Sequence, residues 1–216
     1  MNKVCIFISI IGLLNLNCLG QTIRDYDGNV YKTVSLGSQT WMAKNLKVTH
    51  YRNGDSIPGV ADDASWENLT SGAYCDYNNN PANTDLLGHL YNWYSVADDR
   101  NICPQGWHVP SDSDWKVLAD FLGGRSVAGG YMKIEDIWLY PNTGGTNASG
   151  FSALPGGQRI AKKGRFDMLV MYGRFWSSTS CSGSLAWNVW LSFHSKALMR
   201  AMLPKAYGIS VRCLKD

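Results

Sequence analysis

Six cysteines, four histidines and several paired carboxylates are the residues of this sequence best suited to chemistry, and their spacing decides which reactions are open. The cysteines stand at Cys5, Cys18, Cys75, Cys103, Cys181 and Cys213, with no C-x-x-C among them. His50, His89, His108 and His194 fall in no H-x-x-x-H or H-E-x-x-H pattern. A tetrahedral zinc site needs such clustered ligands, so each histidine reads as a surface or core residue. Asp98-Asp99 and Glu135-Asp136 are adjacent acid pairs. Glycoside hydrolysis needs two carboxyl groups facing each other across a sugar, whereas neighbours along a strand or helix point apart; both pairs read as solvated charge. Asp25-x-Asp27-Gly28-Asn29 opens like a calcium loop but lacks the closing Glu. No G-x-S-x-G elbow presents a serine nucleophile. Gly129-Gly130, Gly144-Gly145 and Gly156-Gly157 lie in neither a G-x-x-x-x-G-K-S/T nor a G-x-G-x-x-G setting, so no phosphate loop is expected.

Composition narrows the partners. Of 216 residues, 45% are hydrophobic and 17% charged, and the formal net charge is +3. That apolar share fills a core, and the low charge argues against disorder. Lys and Arg are scattered rather than gathered in a stripe, so nothing follows a phosphate backbone and nucleic acid is not an expected partner.

The first residues set the compartment. Asn2-Lys3 followed by the apolar run Val4 to Leu16 reads as a signal peptide over residues 1–20, cleaved before Gln21. The runner-up is lipidation at Cys18, although Asn15 stands where a lipobox carries Leu. No later stretch approaches the roughly 20 apolar residues of a membrane helix. The chain is therefore expected in the periplasm, on the outer cell surface or outside the cell. Cys75, Cys103, Cys181 and Cys213 then meet an oxidising environment, where two disulfides are the expectation, in any of three pairings.

The elements that must position these residues are uneven in clarity. Thr22–Arg24 and Val30–Val34 flank Asp27-Gly28-Asn29, which predicts a hairpin, and a second turn at Gly37-Ser38 leads to Thr40–Met42. Residues 53–85 are rich in Asn, Asp, Gly, Ser and Pro and read as a long irregular region with Cys75 as its tether. Its Asx residues first suit turns and, as a second reading, calcium. Leu86 to Ala97 is ambiguous between strand and helical turn. Ser111 to Leu122 is a clear helix: Ser111 caps it, Asp112 and Asp114 sit in its first turn, and Trp115, Leu118, Ala119 and Leu122 share a face. Beyond Gly124 the pattern is of turns and short strands, around Phe151–Leu154, Phe166–Met171, Phe175–Thr179, Trp187–Phe193 and Ile209–Leu214.

Seven ordered blocks then resemble an exported family, the Fibrobacter succinogenes major paralogous domain. They are Asp27–Tyr31, Trp41–Leu46, Leu90–Tyr94, Cys103–Trp115, Gly150–Gly157, Trp176–Thr179 and Ser210–Asp216, and they span nearly all of residues 21–216, read as one domain. The resemblance implies a fold similar to C-type lectin-like domains and formylglycine-generating enzymes: α+β, few helices around twisted antiparallel sheets, with N- and C-terminal strands adjacent. It also implies a Cys103–Cys213 bridge, which leaves Cys75 with Cys181. The activities of these relatives do not carry over. The enzymes use a closely spaced cysteine pair near the C-terminal end, where Cys213 stands alone; calcium-dependent lectins use Trp-Asn-Asp, where Trp187-Asn188 is followed by Val189.

The expected function is an exported, non-enzymatic binding module with no cofactor, whose partner is a glycan or a surface protein. Nine Trp and eleven Tyr support it, since exposed aromatic faces pack on sugars and proteins alike. Trp41, Trp93, Trp107, Trp115 and Trp176 fall in the family blocks and read as core. Trp66, Trp138 and Tyr172, outside them, are the candidate contact residues, with Arg159, Arg165 and Arg174 as candidate carboxylate binders. The alternatives are a diverged enzyme on the formylglycine-generating scaffold and a structural surface protein.

Overall fold

The computed structural model describes residues 21–216, so the expected signal peptide, with Cys18 in it, lies outside the described residues. β1 (Thr22–Arg24) and β2 (Val30–Leu36) form the expected hairpin. The Asp25 carboxylate closes its turn, accepting the Asn29 backbone and side-chain amides at 2.9 Å. Gly28 there has φ +82°, which disfavours a side chain. β3 (Gln39–Met42) returns beside β2.

Residues 53–85 carry α1 (Asp63–Glu67), β4 (Tyr74–Cys75) and α2 (Thr84–Leu87). Asn side chains do turn work here: Asn79 donates to the Ala61 carbonyl, Asn83 donates to the Tyr77 carbonyl, and Asn80 accepts from the Ala82 amide. The region is held by packing, not by a bridge at Cys75. Trp66, Ala73, Cys75, Tyr77, Leu87 and Leu90 form a small core of their own.

β5 (Leu90–Tyr91), α3 (Trp93–Val96) and β6 (Trp107–His108) follow. α4 (Asp112–Phe121) is capped as its sequence demands. The Ser111 hydroxyl accepts the Asp114 amide at 3.3 Å, and the Asp114 carboxylate accepts the Ser111 amide at 2.8 Å. Where turns are expected next, the chain forms a further helix, α5 (Arg125–Met132). Gly129-Gly130 lies inside it because two loops cross there. A Cβ on Gly129 would fall 2.5 Å from the Ala197 carbonyl oxygen, and one on Gly130 would fall 2.6 Å from that of Gly144.

β7 (Gly156–Arg159), β8 (Phe166–Leu169), β9 (Tyr172–Ser180), β10 (Leu185–Ser192), β11 (Met199–Pro204) and β12 (Leu214–Lys215) complete the described elements. Phe151–Leu154 is not a strand; Ala153 makes only an isolated bridge with Lys133. The result is a mixed α+β structure with few helices and curled antiparallel sheets. A five-stranded sheet runs β1-β2-β3-β12-β6, a three-stranded one β11-β10-β9, and β4-β5 and β7-β8 pair separately. The last strand thus lies inside the first sheet, with Leu214 paired to both Trp41 and His108.

Two larger cores flank this arrangement. One gathers Tyr31, Leu46, Tyr91, Trp107, Trp176 and Val211; the other packs α4 and α5 with Trp41, Phe151 and Phe175. Cys103 and Cys213 are bonded, Cα atoms 5.9 Å apart across 110 residues of sequence. Closing such a loop stabilises by about 4–5 kcal/mol in the chain-entropy view. Beside it, the fully buried Arg212 guanidinium donates to Asn45 Oδ1 and to the carbonyls of Met42, Phe151 and Ser152. Burial without a carboxylate pushes this guanidinium down to about 9. Among the described residues no helix is long and apolar enough to cross a membrane.

Candidate functional site

A concavity of about 590 Å³ opens where the loop after β3 faces the end of α3. Its lining includes Tyr51, Ser71, Tyr94, Asp98, Asp99 and Arg100. Asn92, fully buried, fixes the two sides relative to each other. Its side-chain oxygen accepts from the Ser95 amide, capping α3, and from the Ala73 amide, while its nitrogen donates to the Ser71 carbonyl. The segment 71–73 is thereby locked against the helix.

Arg100 organises the rim. Its guanidinium holds Asp98 by two hydrogen bonds of 2.8 and 2.7 Å, reaches Asp55 at 3.0 Å and lies 4.0 Å over the Tyr51 ring. These bonds hold the carboxyls of Asp98 and Asp55 below the usual carboxylate range. Asp98 is therefore committed to Arg100, and Asp99 beside it is the exposed acid of the pair.

Tyr51 forms the floor. It is 1% exposed, burial raises its phenol, and its hydroxyl lies beside the Ser95 and Asp98 side chains. Gly72, which also lines the cavity, leaves room for that hydroxyl: a Cβ there would fall 2.1 Å from it. The groove thus combines fixed carboxylates, small hydroxyl side chains and aromatic walls, which suits a polar, hydroxyl-bearing ligand.

The residues singled out from the sequence lie elsewhere. Trp66 and Arg159 do meet, but inside the protein. Both are 0% exposed, the guanidinium sits 4.5 Å over the indole, and it donates to the carbonyls of Val60, Ala61 and Gly164 and to Asp63 at 2.8 Å. Trp138 is also buried, its indole donating to the Ala153 carbonyl at 3.1 Å. These three are core groups, not contact residues, because the loops that carry them fold back over them. Tyr172 and Arg174 share one face of β9 with Trp190 opposite: the two rings are 5.3 Å apart and the guanidinium lies 5.8 and 5.4 Å from them. Arg165 is exposed before β8.

The second bridge does not form. Cys75 is buried in the small core on β4, its thiol pushed up to about 12 by burial, while Cys181 is exposed just after β9 with its sulfur 3.1 Å from that of Met202. Cys75 is enclosed in the small core, whereas Cys181 stands open at the end of β9. Among the described residues no three metal-ligating side chains come together.

Tyr51 and Tyr94 escaped the sequence reading, and the acid pair Asp98-Asp99 was visible only as surface charge. The signal that pointed nearest was the length of the irregular region after Asn53, since long loops are kept where they serve a site. A family model described as Fibrobacter succinogenes major domain matches residues 34–215. No curated protein and no solved structure matches the chain.

Proposed function

The chain belongs to the Fibrobacter succinogenes major domain family, and on that footing we propose that it is an exported, non-enzymatic binding module whose groove takes a glycan of the cell envelope or its surroundings. The observation that carries this reading is the groove at Tyr51 and Arg100, where carboxylates and hydroxyl side chains are gathered between two tyrosines. Sugars present many hydroxyls that donate to such carboxylates and apolar faces that pack on aromatic rings. The lectin-like and formylglycine-generating-enzyme-like character of the fold belongs to the same proposal. So does the expectation of no catalysis: Cys213 is tied to Cys103, which among the described residues leaves no thiol pair near the C-terminal strand.

A screen of bacterial and plant glycans against the purified protein tests it. Tyr94→Ala and Asp99→Ala should each weaken any sugar that binds, with unchanged thermal midpoints, because both side chains border the groove and neither lies in a core cluster. A panel with no binder, or binding indifferent to both variants, overturns the glycan assignment.

A further inference from the structure

On another face of the molecule, two concavities of about 240 and 260 Å³ adjoin, sharing Lys44, Asp85 and Leu86, and neither includes a residue of the polar groove. The first half is polar, with Lys47 and Thr84 in its lining. The second is apolar, walled by Ile134, Ile137 and Leu154, with Lys32 at its edge. Leu86 and Ile137 are 53% and 41% exposed, large apolar side chains standing open beside a hollow.

Two further features bear on this place, the first shared with Val170 at φ +58°. Ile137 has φ +76°, a conformation that a β-branched residue adopts only where the surroundings enforce it. Backbone of this kind concentrates at sites of function, and here it sets an isoleucine at the mouth of the hollow where glycine or asparagine would sit without strain. The charges are also unequal. Asp85, an exposed carboxylate, pairs with Lys47 at 2.8 Å and feels the charge of Lys44, while Lys32 and Lys44 make no ion pair within 4 Å among the described residues, so the lysines outnumber the acid here. An apolar pocket next to two unpaired ammonium groups is complementary to one kind of small molecule.

We propose that this double hollow binds a single-chain carboxylate amphiphile, its hydrocarbon chain against Ile137 and Leu154 and its carboxylate held by Lys44 and Lys32. Apolar burial supplies the attraction and the charge-assisted bonds supply the selectivity.

Titration calorimetry of the full chain with decanoate, decanol and acetate tests this. Decanoate should bind saturably and about tenfold more tightly than decanol, the scale of a charge-assisted hydrogen bond, and acetate should not bind. Ile137→Asn should cost decanoate about tenfold while the thermal midpoint stays level or rises, since Asn accepts the left-handed backbone. Lys44→Gln should bring decanoate down towards decanol and leave decanol unchanged. Three results each overturn the proposal: no saturable heat below the concentration at which decanoate self-associates, equal affinity for decanol and decanoate, or decanoate binding unaffected by the two variants.

Discussion

One methyl group at Gly72 would reach the floor of the polar groove. Its carbon would fall 2.1 Å from the Tyr51 hydroxyl, within a setting fixed by Asn92. Gly72→Ala should cost about 1–3 kcal/mol in urea unfolding, the usual penalty of overpacking, and combining it with Tyr51→Phe should restore much of that by removing the atom it strikes. His89 sets a pH response. Burial lowers its imidazole below the ordinary 6.5, against the pull of Asp76 at 2.9 Å. As pH falls through 6.5 the unfolded chain takes up this proton first and the folded chain only at lower pH. Stability should therefore decline across that window, and His89→Gln should flatten the decline in denaturation curves measured at successive pH values. Single residues were the least legible scale. Asp98 and Asp99 look alike in a sequence, and only the position of Arg100 makes one a fixed anchor and the other an open acceptor.

α1 shows how a short element with little propensity of its own is kept in place. Five residues form no stable helix in isolation. This one is pinned because Trp66 lies in the small core and Arg159 on β7 clasps the carbonyls that precede it. Trp66→Ala should cost about 3–5 kcal/mol, as removal of a buried indole does, and should open residues 60–70 to limited proteolysis. Had Trp66 been a ligand contact, the same change would leave stability untouched. At this scale sequence reading succeeded where the local signal was complete and failed where it depended on neighbours. α4 carries its cap, its acidic first turn and its apolar face in ten residues. α5 hides behind a glycine pair whose purpose is the close approach of distant loops, and β11 is an edge strand with four of its six residues exposed, so its alternation is weak.

For the molecule as a whole, the family blocks are the core made visible. Trp93 donates to the Ser177 carbonyl, Trp176 to that of Tyr91 and Trp115 to that of Trp176, so three blocks are joined by indole hydrogen bonds alone. This explains why the fold was legible and the site was not: the groove is built mostly from residues between blocks. The cysteines offer the direct check. Among residues 21–216, non-reducing peptide mapping should find one bridge, Cys103–Cys213, and two thiols, with Cys181 alkylated in the folded protein and Cys75 only after unfolding. Cys103→Ser should lower stability by about 4–5 kcal/mol. The Arg212 node has a consequence in time. Its partner Asn45 lies 167 residues earlier, and Leu214 completes a sheet begun by Trp41. Contacts so distant in sequence make for high contact order, and such topologies fold in milliseconds to seconds rather than microseconds. While the chain emerges, Asn45 and β3 wait without their partners, and the sheet can close only after the whole stretch between Trp41 and Leu214 has been delivered.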